Sequence, residues 1–167
     1  PKDVARNAID LYEACRAQQR GINCRGLAFM LAEMYLAMGW PARALGCVPK
    51  DFAHAHDSHL ITVVWHRDLQ KWVWMDPTLS AYVTDENGLL LHPVEVRQRL
   101  IDGRPLVLNE EANWNHESMQ TKEHYLEEYM AKNHYYIGCN LHQSFGVEMR
   151  PYDEAGHWWL AHGGMSV

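Results

Sequence analysis

Residues Gly21–Gly46, GINCRGLAFMLAEMYLAMGWPARALG, run as turn, helix, stop signal and strand. Asn23 is a good N-cap, which puts Cys24 in the first helical turn. From Arg25 to Met38 the run is apolar on nearly every face, with Glu33 the main exception. A helix without a polar face is predicted to be a buried core helix. Gly39 ends it, Pro41 prevents its continuation, and Ala42–Val48 reads as a strand. Cys24 therefore lies where the free N–H groups of a helix point outward, and the helix dipole favours a thiolate there. Most cysteines only fill space, so Cys24 alone does not establish a reactive thiol.

The second informative stretch is a hairpin. His59–Trp65 and Gln70–Met75 both alternate and are rich in β-branched and aromatic residues. A loop over His66–Leu69 pairs Trp65 with Gln70, Val63 with Trp72, Ile61 with Trp74 and His59 with Asp76. Because strands have period two, these side chains share one face. Histidine and aspartate then become cross-strand neighbours. Asp76 also begins an Asp-Pro-Thr turn. Cysteine, histidine and aspartate follow one another in the order nucleophile, base, orienter.

Several spaced motifs here agree with one family. Asn23-Cys24-Arg25-Gly26-Leu27-Ala28, Gly39-Trp40-Pro41-Ala42-Arg43, Ser58-His59 and Trp72 through Asp76-Pro77-Thr78 resemble the transglutaminase-like superfamily of thiol enzymes, over roughly residues 20–80. His92–Asn109 and Tyr125–Cys139 resemble the tail of bacterial members. The resemblance implies an α+β fold with a papain-like core, in which a central buried helix packs on an antiparallel sheet. It implies Cys24, His59 and Asp76 as the triad, and no metal or organic cofactor. Papain-type enzymes also place an upstream glutamine in the oxyanion hole, which makes Gln18 and Gln19 candidates, beside Asn23; a solvated helix end is the other reading of both glutamines. Chemistry in this family covers peptide hydrolysis, glycopeptide deglycosylation and glutamine–lysine cross-linking. A peptide or protein substrate is the implied partner. A non-catalytic peptide-binding module on the same fold is the competing reading.

At 167 residues the chain suits one domain with a sizeable core. The net charge of −6, with no Lys/Arg run, argues against nucleic acid or an anionic membrane as main partner. No apolar run reaches transmembrane length. Pro1 is not a methionine, so an exported protein with its leader removed stays open. Seven tryptophans indicate a thick aromatic core or an aromatic-lined groove, with Trp65, Trp74 and Trp114 as candidates to line it. The four cysteines have no C-x-x-C spacing, and Cys15 and Cys47 read as core thiols. His54, His56, Asp57 and His59 invite a metal reading, but the order H-x-H-D-x-H displaces the aspartate from the dinuclear-hydrolase pattern.

The remaining elements follow from periodicity and caps. Lys2–Gln19 reads as an amphipathic helix capped by Asp3. Val94–Ile101 is a short helix opened by His92-Pro93 and ended by Gly103, and Leu106–Leu108 a short strand. Asn109–Ser118 is expected to be a loop and Met119–Asn133 a helix with Tyr125, Leu126, Tyr129 and Met130 on one face. Strands are expected over His134–Cys139, Phe145–Met149 and His157–Leu160.

Overall fold

The computed structural model describes residues 7–51, 57–140 and 157–160. Helices α1 (Ala8–Gln18) and α2 (Cys24–Ala37) lead into β1 (Ala42–Val48), β2 (His59–His66) and β3 (Lys71–Met75). Short strands β4 (Val83–Thr84) and β5 (Val107–Leu108) flank helix α3 (Pro93–Asp102). A small hairpin of β6 (Asn113–Trp114) and β7 (Ser118–Met119) precedes a π-helix, Glu123–Met130. With β8 (Tyr136–Asn140) and β9 (His157–Leu160) the large sheet has the order β3-β2-β1-β8-β9 and is antiparallel throughout. The class is therefore α+β. The expected strand Phe145–Met149, and the expected start of the first helix at Lys2 with its Asp3 cap, lie outside the described residues. Within them Asn7 caps α1: its backbone is extended and its side chain accepts from the Asp10 N–H.

The sheet is covered on both faces. On one face Ala28, Phe29 and Ala32 of α2 pack on Ala42, Ala44, Leu60, Val64 and Val73. Small alanines let the helix approach closely enough for the Thr62 hydroxyl to donate to the Ala28 carbonyl at 2.9 Å. On the other face Cys47, Ile61 and Trp74 join Val83, Val96, Tyr125, Leu126 and Met130 in the larger core. Residues of opposite parity thus serve opposite layers, as a pleated strand requires.

Helix α2 is less buried than its composition predicts. Met34 is 54% and Met38 64% exposed, and Leu36 is also exposed. The reason is geometric: the sheet covers one side of the helix and α1 only part of another. The Glu33 that interrupts the apolar run has a task in this arrangement. Its carboxylate accepts from the Ala8 N–H at 2.6 Å, at the positive end of α1. None of the described helices is long and apolar enough to cross a membrane.

The helix at Pro93 starts as expected. The His92 side chain accepts from the Val94 N–H, Glu95 reaches back to the His92 N–H, and Gly103 ends the helix in the left-handed region at φ 62°. The stretch expected to be a loop after Asn109 instead holds β6. Its turn puts Asn115 and His116 at φ 55° and 59°, a type I′ geometry that suits asparagine.

His134 is buried edge-on against Trp74, with ring centroids 4.9 Å apart and neither ring nitrogen hydrogen-bonded. Burial first, then the charges of Arg97 and His92, push its pKa down from 6.5 to about 3. The folded protein therefore binds fewer protons than the unfolded chain between those two values, and stability falls as pH drops through that window. From pH 7 to pH 5 this one group is expected to remove about 2 kcal/mol. Urea unfolding of the wild type and of His134→Phe at both pH values checks this: the wild type should lose that much more. Equal losses would contradict it.

Candidate active site

Cys24 is the first residue of α2, and Asn23 is its N-cap, accepting from the Gly26 N–H at 3.1 Å. Cys24 lines one cleft with His59, and both the His59 side chain and the backbone N–H of Leu60 act on its thiol to favour the thiolate. That second donor is available because the β2–β3 ladder pairs only Thr62–His66 with Lys71–Met75, leaving the first residues of β2 without a β3 partner. Cys24 enters the notch so formed.

His59 Nε2 lies 2.6 Å from Asp76 Oδ2, and both residues are 2% exposed. With Nε2 engaged, the ring nitrogen left for Cys24 is Nδ1. The strand register is two residues from the expected one: Val63 pairs with Trp74 and Trp65 with Trp72. β2 extends through His66, which pairs with Lys71, and Gln70 closes the turn in the left-handed region at φ 51°. A slip of two keeps every side chain on its face. The same count puts Asp76 opposite Ile61, so the carboxylate reaches His59 along the diagonal rather than straight across.

Asp76 both orients histidine and starts the turn. Its Oδ1 accepts from the Thr78 N–H at 2.9 Å, and its backbone exchanges two hydrogen bonds with Ala81. Oδ2 also accepts from the Tyr125 hydroxyl at 2.7 Å, and the Trp74 indole N–H donates to that same hydroxyl at 3.1 Å. Tyr129, four residues on, presents its ring edgewise to His59 with centroids 5.3 Å apart. Both tyrosines come from the π-helix, a form often found at functional sites.

The electrostatics follow from these contacts. Burial pushes the Cys24 thiol up, but the hydrogen bond to His59, the charge of His59 and the Leu60 N–H outweigh it, so its pKa is lowered. Burial pushes His59 down, but the Asp76 charge and hydrogen bond, with Cys24 beside them, raise it to about 10. The two shifts agree in favouring a thiolate–imidazolium pair that titrates as a unit. Cys47, buried on the strand beside His59, is the contrast: burial, then the charges of Asp76 and Cys24, push its thiol far up. It is a core thiol, whereas Cys15 is only partly buried.

A cleft of about 420 Å³ opens in front of Cys24 and His59. Trp114, Ser118, Gln120 and His124 also line it, with Thr78, Leu79, Tyr125 and Tyr129. Of the residues expected near the chemistry, Trp114 is in this cleft. Trp74 is not: it is fully buried and serves the site through Tyr125. Trp65 packs edge-to-face on Trp72 at the other end of β2, roughly 20 Å along the strand from His59. Gln18 and Gln19 are exposed at the end of α1, where Gln19 is the C-cap, and neither lines the cleft. His54 and His56 lie outside the described residues. Among those described, no three His, Cys, Asp or Glu side chains are grouped to hold a metal ion.

Tyr125 and Gln120 are the contributors that the sequence reading missed. A signal existed for Tyr125, since a tyrosine on a core-facing helix stripe needs a partner for its hydroxyl. No protein-family model, curated protein or solved structure matches the chain.

Tyr125→Phe removes a donor from the buried Asp76 and leaves the Trp74 N–H without its acceptor. The expected cost is about 1–3 kcal/mol, read by urea unfolding at pH 7. A loss under about 0.5 kcal/mol would mean that these two bonds do not contribute.

Proposed function

We propose that this protein is a thiol-dependent acyl-transfer enzyme that cleaves an amide bond, with Cys24 as nucleophile, His59 as base and Asp76 as orienter. The observation that carries the reading is that Cys24 and His59 line one cleft, with His59 bonded to Asp76 and that carboxylate fixed in turn by Thr78 and Tyr125. A thiol at the start of a helix, set against an antiparallel sheet that carries the other two groups, also fits the papain-like core implied by the transglutaminase-like resemblance.

The chemistry is a two-step transfer. The Cys24 thiolate attacks the amide carbonyl and forms a C–S bond. Two backbone donors are close to the sulfur: the Leu60 N–H, and the Cys24 N–H, which has no intrahelical acceptor in the first turn. Either can stabilise the tetrahedral oxyanion. The imidazolium of His59 gives its proton to the leaving amine as the C–N bond breaks. His59 then takes a proton from water, whose oxygen attacks the thioester, releasing acid and restoring the thiol. Asp76 holds the ring with Nε2 protonated and stabilises its charged form. An amine in place of water in the second step turns hydrolysis into cross-linking, and added primary amine separates the two by product.

The pH dependence of labelling tests the dyad. An ordinary thiol, with a pKa of ~8.5, is only a few per cent ionised at neutral pH. Because the Cys24 pKa is lowered, iodoacetamide should alkylate it readily at pH 6, with the site mapped by mass spectrometry. His59→Ala should shift the onset upward, since burial then acts without its counter-charge. On a peptide library Cys24→Ala should abolish turnover, and His59→Ala should reduce it by roughly 10²–10⁴-fold. Labelling of Cys24 only above about pH 8, unchanged in His59→Ala, would exclude the dyad and favour a binding module.

A further inference from the structure

The side of the cleft that the β6–β7 hairpin supplies is built rather than draped. The Asn113 N–H donates to the Leu79 carbonyl at 2.8 Å, which fastens β6 to the body of the protein, and the Gln120 N–H donates to the Ala112 carbonyl at 2.8 Å, which closes the base of the β6–β7 hairpin. The Gln120 side chain is fixed at both ends: its amide N–H donates to the Ser118 carbonyl, and its Oε1 lies 3.1 Å from His124 Nδ1. Trp114 is therefore held over the cleft while 49% exposed. A large indole left half open beside a reactive thiol is apolar surface that a ligand can cover.

The lining has a second property. Among the described residues, none that line this cleft is Asp, Glu, Lys or Arg, in a chain where 22% of residues are charged. The charged groups at hand are already paired: Cys24 with His59, which Asp76 holds from behind, and Lys132, which sits over the Tyr129 ring, with Asp57. A charged ligand group would lose its hydration here and gain no free counter-ion. Of the rings that line it, Trp114 and Tyr129 keep exposed surface, whereas Tyr125 is fully buried. Its 420 Å³ is at the small end for ligand sites, which suits one residue and its amide rather than a long peptide.

We infer that the cleft selects an acyl donor whose reactive carbonyl is flanked by an uncharged aromatic side chain, and that Trp114 is the residue that sets this preference. The acyl-donor role rests on the reading of Cys24 as nucleophile; the ligand chemistry rests on the cleft wall alone.

The test separates the two. Cys24→Ala protein is titrated with N-acetyl amides of phenylalanine, glutamate and lysine, and binding is followed by NMR shifts of cleft residues. The phenylalanine amide should bind about tenfold or more tightly than the glutamate and lysine amides, a ratio in the range that pocket fit provides. Adding Trp114→Ala should bring the three within about twofold, and Trp114→Phe should keep most of the preference. Equal binding of the aromatic and charged amides, no binding of any, or a preference untouched by Trp114→Ala would overturn the inference. Iodoacetamide labelling of wild-type Cys24 is read in parallel. Labelling at pH 6 without aromatic preference leaves the nucleophile and removes this inference. Aromatic preference without such labelling keeps the ligand assignment and removes the catalytic role.

Discussion

The buried carboxylate of Asp76 is the constraint on which the site depends. A charge or strong acceptor removed from water must be met by donors, or its desolvation goes uncompensated. Three donors from three places meet it here: the ring of His59, the hydroxyl of Tyr125 and the backbone of Thr78. Satisfying one group therefore fixes the start of β2, the turn after β3 and the π-helix relative to one another. Trp74 extends the set by donating to Tyr125, so a fully buried indole in the core supports the carboxylate at one remove.

The thiol comes from the other side of the sheet. α2 packs on the face that carries Leu60 and Val64, whereas His59 and Asp76 belong to the face that carries Ile61 and Trp74. Cys24 reaches His59 only because β3 has ended by that point and left the start of β2 open. The early end of β3 has a local cause: Asp76 turns the chain by bonding to Thr78 and Ala81, and Pro77 has no N–H to offer a ladder. One Asp-Pro-Thr turn thus both orients the histidine and clears the notch for the cysteine.

The strands, the capped start of α2 and the alternation in the hairpin are all local signals, and the first two elements of the hairpin form where the pattern places them. The register is less well determined. Whether His66 belongs to the strand or to the loop shifts the four-residue loop by one position and the pairing by two, and the alternation of residues is the same either way. That is why the shared face of His59 and Asp76 was legible while their diagonal placement was not. The burial of α2 shows the opposite case. Its apolar composition implies cover all round, but the sheet has only one face to give it, and Met34, Leu36 and Met38 are left exposed.

The sequence by itself determined the helix that starts at Cys24, the strands of the hairpin and the common face of His59 and Asp76, because caps, stop signals and period-two alternation act within a few residues. Only the tertiary structure decided what surrounds them. Tyr125 bonds to Asp76 across 49 positions of the chain, and Trp114 faces Cys24 from a hairpin far downstream. It also removed Trp74, Trp65, Gln18 and Gln19 from the cleft. Such placements follow from how layers pack and how one buried carboxylate recruits its donors, and neither has a short-range signature in the order of residues.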